Sequence, residues 1–186
     1  SAVCESVRRW GVNTPGAQLY SGYTEVHRDL ESQLGNLYGG SAILFPSGFH
    51  ANVGVLTALA GPDDLIVMDQ FSHASLAIGA RLSGARVEIF PSQDLSVAMQ
   101  KLALPGARKL LVSDGVFSAD GTICDIQGLR ELASLHNAQL IVDDAHGIAA
   151  LGRKGIGVVD GGLSVGGGLP EVLVGTLSKG IGSAGG

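Results

Sequence analysis

Residues 139–147 read QLIVDDAHG, a short apolar run that ends in two aspartates and a histidine. An apolar run of this length is typical of a strand buried on both faces of a parallel sheet. Comparable runs occur at 42–45 (AILF), 64–69 (DLIVMD), 86–90 (RVEIF), 109–114 (KLLVSD) and 171–176 (EVLVGT). The sequence therefore predicts six strands, of which the AILF run is the first.

Helical segments separate most of these runs. They are predicted at 24–39, with Thr24 as the N-cap, and at 48–61, 73–84, 94–104 and 126–137. Strands that alternate with helices favour parallel pairing through right-handed crossovers. The predicted fold class is α/β, with a mostly parallel sheet in a three-layer α/β/α arrangement. The order of the strands in the sheet is not predicted.

The composition excludes several classes of protein. Hydrophobic residues make up 45% of the 186 residues and charged residues 16%, which is typical of a globular protein and not of a disordered one. The net charge of −5, without a lysine or arginine cluster, argues against nucleic-acid binding. No apolar run is long enough to span a bilayer. Cys4 and Cys124 are too few for a disulfide framework, which favours a cytoplasmic protein.

Polar residues follow the predicted strands, and in a parallel sheet these positions meet at one edge. They are Ser47–His50, Ser72 and His73, Ser118, Asp143–His146, and Thr176–Lys179. Taken singly, each has an ordinary explanation as a helix cap, a turn or a structural histidine. No metal site is predicted among them.

Together these residues match the needs of pyridoxal 5′-phosphate (PLP). The lysine would form a Schiff base with the cofactor, and a carboxylate at a strand end would keep the pyridine nitrogen protonated. The helix start at Ser47–Gly48, with the hydroxyls of Thr176 and Ser178, would hold the phosphate.

Six motifs carry a resemblance to a known family. They are SGYTEVHRDLE (21–31), LFPSGFHANVGVL (44–56), SHASL (72–76), SDGVFSADGT (113–122), LIVDDAHGIAALGRKG (140–155) and GTLSKGIGSAGG (175–186). In content, order and spacing the chain resembles the α-oxoamine synthases of the fold-type I PLP enzymes, nearest to their biotin-pathway branch. The resemblance implies that the chain is the large, cofactor-binding domain of a fold-type I transferase.

The resemblance implies three catalytic residues. Lys179 would carry the cofactor and later act as the general base. Asp143 would pair with the pyridine nitrogen, and His73 would stack on the face of the ring.

The resemblance also implies the remaining contacts to the cofactor. Gly48 and Phe49 would offer backbone amides to the phosphate, and Thr176 would offer its hydroxyl. His146 would bond the phenolic oxygen of the ring, and Ser118 falls at another position that contacts the cofactor.

The implied activity is that of a PLP-dependent acyltransferase. Such an enzyme joins an amino acid to an acyl-CoA thioester and releases carbon dioxide. The alternatives within the family are a glycine C-acetyltransferase-like or a serine palmitoyltransferase-like enzyme. Gln18 and His50 depart from the family pattern, and they leave the choice of substrate open.

Two further classes remain as alternatives. One is a non-catalytic pseudo-enzyme subunit, which the joint presence of Lys179, Asp143 and His146 argues against. The other is a nucleotide-binding α/β domain, but the chain lacks both glycine-rich nucleotide motifs.

The resemblance has consequences for organisation. Residues 1–23 would form an N-terminal segment, and residues 24–186 an incomplete large domain without the family's C-terminal small domain. The family forms homodimers with the site at the subunit interface. A chain of this extent alone is not expected to turn over efficiently.

Overall fold

The structure, a computed structural model, describes residues 1–12, 16–160 and 169–186. The chain divides into two compact units, Ser1–Leu44 and Phe45–Gly186. The boundary at residue 23 stays a prediction.

The first unit is helical. It contains α1 (Ala2–Trp10), a π-helical turn (Gln18–Gly22) and α2 (Glu25–Tyr38). Thr24 is the N-cap of α2, as predicted, and its backbone N–H donates to His27 Nδ1 at 3.2 Å. Gly39 ends the helix in the left-handed conformation, with φ of 71°.

The second unit carries a five-stranded parallel sheet. Its elements are α3 (Gly48–Leu59), β1 (Leu65–Asp69), α4 (Ala74–Ser83), β2 (Arg86–Phe90), α5 (Leu95–Leu102), β3 (Lys109–Asp114), α6 (Ile126–Leu135), β4 (Gln139–Asp143), a 3-10 turn (Gly157–Val159) and β5 (Val172–Val174). The strand order is β2-β1-β3-β4-β5, and every pair is parallel. The predicted α/β class and parallel pairing are confirmed.

This order creates a switch point between β1 and β3. The chain leaves β1 toward β2 on one side, and then returns to build β3, β4 and β5 on the other side. At such a point the connections after neighbouring strands diverge and open a crevice at their carboxyl ends. The topology therefore locates a candidate site beyond Asp69 and Asp114.

Helices cover both faces of the sheet. On one face, Leu56 of α3 and Leu76 of α4 pack with Ile66, Leu110 and Ile141 of the three central strands. The alternate residues of those strands point to the opposite face, where α5 and α6 pack against the sheet and each other. These central side chains are completely buried, so the strands read as continuous apolar runs. The predicted three-layer arrangement is confirmed.

The AILF prediction was wrong. Residues 42–45 form no strand, and Ile43 is 73% exposed. Only Phe45 pairs, since it exchanges two backbone hydrogen bonds with Gly186 at 2.8 and 3.0 Å. An apolar run becomes a strand only when a neighbouring strand takes up its backbone groups, and here the pairing is limited to one residue.

Candidate functional site

Carboxylates end three neighbouring strands at the same edge of the sheet. Asp114 of β3 lies beside Asp143 of β4 in the strand register, and Asp69 ends β1. His73 follows β1 as the N-cap of α4, and its backbone N–H donates to Asp114 Oδ1 at 3.0 Å. This bond connects β3 to the segment that follows β1, across the switch point.

Asp143 is held by two N–H donors. Its Oδ2 accepts from Asn52 Nδ2 at 2.6 Å, and its Oδ1 accepts from the backbone N–H of Ala145 at 3.0 Å. Asp143 is 6% exposed and Asn52 is 1% exposed. Short bonds between a carboxylate and buried N–H groups fix the direction in which its free lone pairs point.

A chain of hydrogen bonds connects Asp143 to His73, and we call it the Asp143–His73 network. Asn52 Nδ2 also donates to Ser75 Oγ at 2.9 Å, and Ser75 Oγ lies 2.6 Å from His73 Nδ1. The network joins β4, α3 and the start of α4. In the part of the chain that the structure describes, the buried carbonyl oxygen of Asn52 has no partner.

Lys179 meets His146 at the same edge. The two side chains are joined by a bond of 2.9 Å between Lys179 Nζ and His146 Nε2. Burial lowers the pKa of His146, and the positive charge of Lys179 lowers it further, while Asp143 acts in the opposite direction. A neutral imidazole can accept a hydrogen bond from an ammonium group, so the pair forms without two like charges in contact.

The start of α3 lies against the turn after β5. Ser47 caps the helix by accepting from the backbone N–H of His50 at 3.3 Å. A Cβ atom placed on Gly48 would lie 3.3 Å from Thr176 Cβ, so the helix start and the turn are close. The Thr176 hydroxyl donates to Gly185 O at 3.1 Å and lies 2.8 Å from Ser178 Oγ.

Phe49 and Ser118 are the predicted site residues that no side-chain hydrogen bond among the described residues connects to this arrangement. The exposed ring of Phe49 lies edge-on to His50, with 5.9 Å between ring centroids. Ser118 is exposed in a turn closed by the bond from Phe117 N–H to Thr122 O. Within the described ranges, no side-chain hydrogen bond joins Ser118 to another predicted site residue. Both assignments stay predictions, as do the roles of the other site residues.

Two buried carboxyl groups flank Asp143. Burial raises the pKa of Asp114 to about 7, although the hydrogen bond from the His73 backbone N–H lowers it. The charges of Asp143 and Asp69 raise this pKa further. Burial likewise raises the pKa of Asp144 to about 7, although the hydrogen bond from the Val158 N–H, at 2.8 Å, lowers it. Asp114, Asp143 and Asp144 form a carboxylate row, and among the described residues only Asp143 accepts a hydrogen bond from a side-chain amide.

Three residues of the site were missed at the level of sequence: Asn52, Ser75 and Asp114. A signal for Asn52 was present, because a lone amide inside the apolar helix 48–59 needs a buried partner. Asp114 ends its strand as Asp143 does, and this parallel could have singled it out. Ser75 gave no signal, since a serine in the first turn of a helix is common.

No group of three or more His, Cys, Asp or Glu residues in the described ranges is arranged to hold a metal ion. Among the same residues, the helices are too short or too polar to cross a membrane.

Comparison with known proteins identifies relatives over nearly the whole chain. A model of the family described as aminotransferase class I and II matches residues 5–186. The 8-amino-7-oxononanoate synthases of Mycolicibacterium smegmatis and Bordetella petrii are 42% and 43% identical to this chain, over 98% and 100% of its length. Each alignment covers 48% of the relative, so the chain spans about half the length of the curated relatives it matches.

Solved structures are similar as well. A serine palmitoyltransferase of Sphingomonas wittichii matches with a TM-score of 0.90 and 34% identity, over 99% of this chain and 46% of that one. A high-resolution structure of SPT with PLP matches with a TM-score of 0.89 and 31% identity, with the same coverage. An 8-amino-7-oxononanoate synthase of Francisella tularensis gives 0.79 and 25%, over 99% and 51%.

Proposed function

The chain belongs to the aminotransferase class I and II family, and from this premise we propose that it is the cofactor-binding part of a PLP-dependent acyltransferase. The protein would condense an amino acid with an acyl-CoA thioester. Relatives named 8-amino-7-oxononanoate synthase, at 40–43% identity, support this activity above others in the family.

The described residues fit PLP. Lys179 supplies a solvent-facing amine for the aldehyde, and Asp143 supplies a buried acceptor for the pyridinium N–H. The first turn of α3 supplies backbone N–H groups that have no partner inside the helix, as a phosphate requires. The close approach of Gly48 to Thr176 adds a small-residue wall beside that turn.

The bound cofactor would supply an electron sink, which stabilises negative charge at the Cα atom of the amino acid. Overall, a bond forms between that Cα and the thioester carbonyl carbon, and the bond from Cα to the carboxyl group breaks. Carbon dioxide and the CoA thiol leave, and the proton first taken from Cα is replaced by one from the site.

The side chains of this site have distinct tasks in that reaction. Lys179 Nζ takes and returns the Cα proton. It is an amine at the carboxyl ends of the strands, and a general base must lie within hydrogen-bond reach of the proton that it abstracts. His146 Nε2, 2.9 Å from Nζ, holds the amine in place, and the lowered pKa of His146 keeps this partner neutral. Asp143 would hold the pyridine nitrogen, and the exposed ring of His73 would cover one face of the cofactor.

The observation that carries the proposal is the convergence of Lys179 and His146 with Asp143. The lysine and the histidine are joined directly, and Asp143 is near enough to influence the pKa of His146. The chain lacks both glycine-rich nucleotide motifs, so a nucleotide-binding α/β domain does not account for these residues.

The name of the relatives defines the first substrate pair to test. An 8-amino-7-oxononanoate carries its amino group and a methyl group beyond the ketone, as a condensation of alanine would leave them. Its other seven carbons correspond to a seven-carbon dicarboxylic acyl group. We therefore expect the full-length protein to release CoA thiol and carbon dioxide in equal amounts from alanine and that acyl-CoA.

Lys179→Ala should abolish this release, while Lys154→Ala, which removes another exposed lysine, should not. Consumption of the amino acid without release of thiol would replace the proposal with a transaminase or lyase.

A second candidate is a serine palmitoyltransferase-like condensation. It is favoured by the closer structural match, since the serine palmitoyltransferase has a TM-score of 0.90 and 34% identity, against 0.79 and 25% for the solved oxononanoate synthase. Serine with a long-chain acyl-CoA is the discriminating pair. Faster thiol release with that pair than with alanine would favour this candidate.

We also propose that the protein acts as a cytoplasmic homodimer with its site at the interface. Supporting this, Lys179, His73 and Phe49 are exposed in the single chain, as residues covered by a second subunit would be. Sedimentation of the full-length protein should give a dimer at micromolar concentration. A monomer that is fully active would contradict the shared site.

A further inference from the structure

We propose that Asn52 and Ser75 are positioning residues, which fix the tautomer and the direction of the His73 ring relative to Asp143. The catalytic consequence rests on the proposed function, but the geometry is a property of the chain without any bound molecule. Asn52 is 1% exposed and Ser75 is completely buried, and all their side-chain hydrogen bonds in the described ranges lie within the Asp143–His73 network.

The orientation of the Asn52 amide follows from its partner. Asp143 Oδ2 lies 2.6 Å from Asn52 Nδ2, and a carboxylate only accepts hydrogen bonds, so the amide must present its NH₂ group there. The second hydrogen of that group is directed to Ser75 Oγ, at 2.9 Å. Both amide hydrogens are therefore committed, and Ser75 Oγ is the acceptor toward Asn52.

The tautomer of His73 follows from Ser75. The Ser75 hydroxyl donates its one hydrogen to His73 Nδ1, at 2.6 Å, because that nitrogen already accepts a backbone N–H and so carries no hydrogen. The backbone N–H of Ser75 donates to the same Nδ1 at 3.2 Å. A ring nitrogen that accepts two hydrogen bonds carries no hydrogen of its own, so the ring proton lies on Nε2.

The cost of the arrangement supports a role beyond packing. The buried carbonyl oxygen of Asn52 has no partner among the described residues, and an apolar side chain of similar volume would avoid that penalty. Unlike that apolar side chain, the Asn52 amide provides two donors on one nitrogen, and they are directed at Asp143 and Ser75. In the proposed reaction, this sets the ring face of His73 and the carboxylate of Asp143 relative to one cofactor.

The test is ¹⁵N NMR of the His73 ring nitrogens in the full-length protein, freed of small molecules. Asn52→Leu removes both donors at similar volume, and Ser75→Ala removes the hydroxyl alone. Ser113→Ala is the matched control, because Ser113 is also buried, at 1% exposed, and its hydroxyl bonds only to a backbone carbonyl. Titration with PLP then gives the affinity of each variant.

We expect His73 Nδ1 to be unprotonated in the unaltered protein and in Ser113→Ala. In Asn52→Leu and Ser75→Ala the ring signals should shift toward exchange between the two tautomers. Each of these two variants should weaken PLP binding by about tenfold, the effect of one buried hydrogen bond. The double variant should lose less affinity for PLP than the product of the two single losses, since both changes break the same network.

A proton on Nδ1 in the unaltered protein, or unchanged ring signals in both variants, would overturn the inference. If Asn52→Leu does not fold, Ser75→Ala decides alone, because it keeps the backbone donor to His73 Nδ1 and the bond from Asn52 to Asp143. A fixed tautomer without PLP binding would reject the proposed function and leave the network standing. Normal PLP binding with a tautomer that neither variant disturbs would reject the network alone.

Discussion

At the scale of residues, the contact between Lys179 and His146 is the chemical centre of the proposed site. An ammonium group has only donors, so His146 Nε2 must accept the bond of 2.9 Å, and an imidazolium could not do so. Burial and the positive charge of the neighbouring lysine both lower the pKa of His146, and this favours the neutral ring that the bond requires. The lysine is thereby held by a neutral partner.

Removing the lysine should therefore raise the pKa of His146. Lys179→Ala eliminates one of the charges that disfavour the imidazolium, whereas burial and His73 remain. A ¹H–¹⁵N NMR titration of His146 in both proteins measures the shift. Lys154→Ala is the control, because Lys154 is not among the groups that shift this pKa. Identical titration curves for the unaltered protein and Lys179→Ala would contradict the contact.

The single residues that the sequence singled out are those with unusual chemistry for their surroundings, and their roles stay predictions. Lys179 is a cation among small residues, and Asp143 and His146 follow a buried strand. Asn52 and Ser75 were not predicted, because their role arises from partners 91 and 23 residues away from Asn52. Such pairings depend on how α3 and α4 pack, which no local pattern records.

At the scale of elements, helix ends were well predicted because their signals are local. Thr24 and His73 begin helices, and Gly84 ends one in the left-handed conformation, with φ of 75°. The AILF run failed for the opposite reason. Strand formation needs a partner, and the one pairing there involves Gly186, 141 residues further along the chain from Phe45.

The end of α2 allows a clean test of one such signal. Gly39 has φ of 71° and open space around the position of a Cβ, so Gly39→Ala would be strained by its backbone alone. We expect a loss of about 1 kcal/mol in the free energy of unfolding, measured by urea titration. Gly40→Ala also meets open space and does not share the left-handed φ, so it should be neutral. Equal effects of the two changes would contradict the cap.

At the scale of the whole molecule, the α/β class was predictable but the strand order was not. Alternating strands and helices require parallel pairing, whereas the placement of β1 between β2 and β3 depends on contacts between distant segments. That placement creates the crevice in which His73 reaches Asp114. It also buries a row of carboxyl groups at one edge of the sheet.

This row gives the stability a dependence on pH. The pKa of Asp144 is about 7 in the folded chain and about 3.9 in an unfolded one, so the folded state retains a proton that the unfolded state has lost. Stability from this group is complete below about pH 4 and is lost as the pH rises to about 7. Asp114, also at about 7, acts in the same direction.

Asp144→Asn should flatten that dependence. The amide oxygen can still accept from Val158, but the proton is no longer exchanged. Between about pH 4 and pH 7 the free energy of unfolding should fall less steeply, by up to about 1.4 kcal/mol per pH unit. Urea unfolding at several pH values measures the slope. An unchanged slope would show that Asp144 is ionised in the folded protein.

The central claim is that Lys179 holds PLP in a site built from the ends of the parallel strands. The most direct measurement is the visible absorption of the full-length protein with PLP, followed by borohydride reduction and peptide mass spectrometry. We predict a visible band, and a reduced cofactor attached to Lys179. The band should be absent in Lys179→Ala and retained in Lys154→Ala. A full-length protein without the band, or with the label on another lysine, would contradict the account.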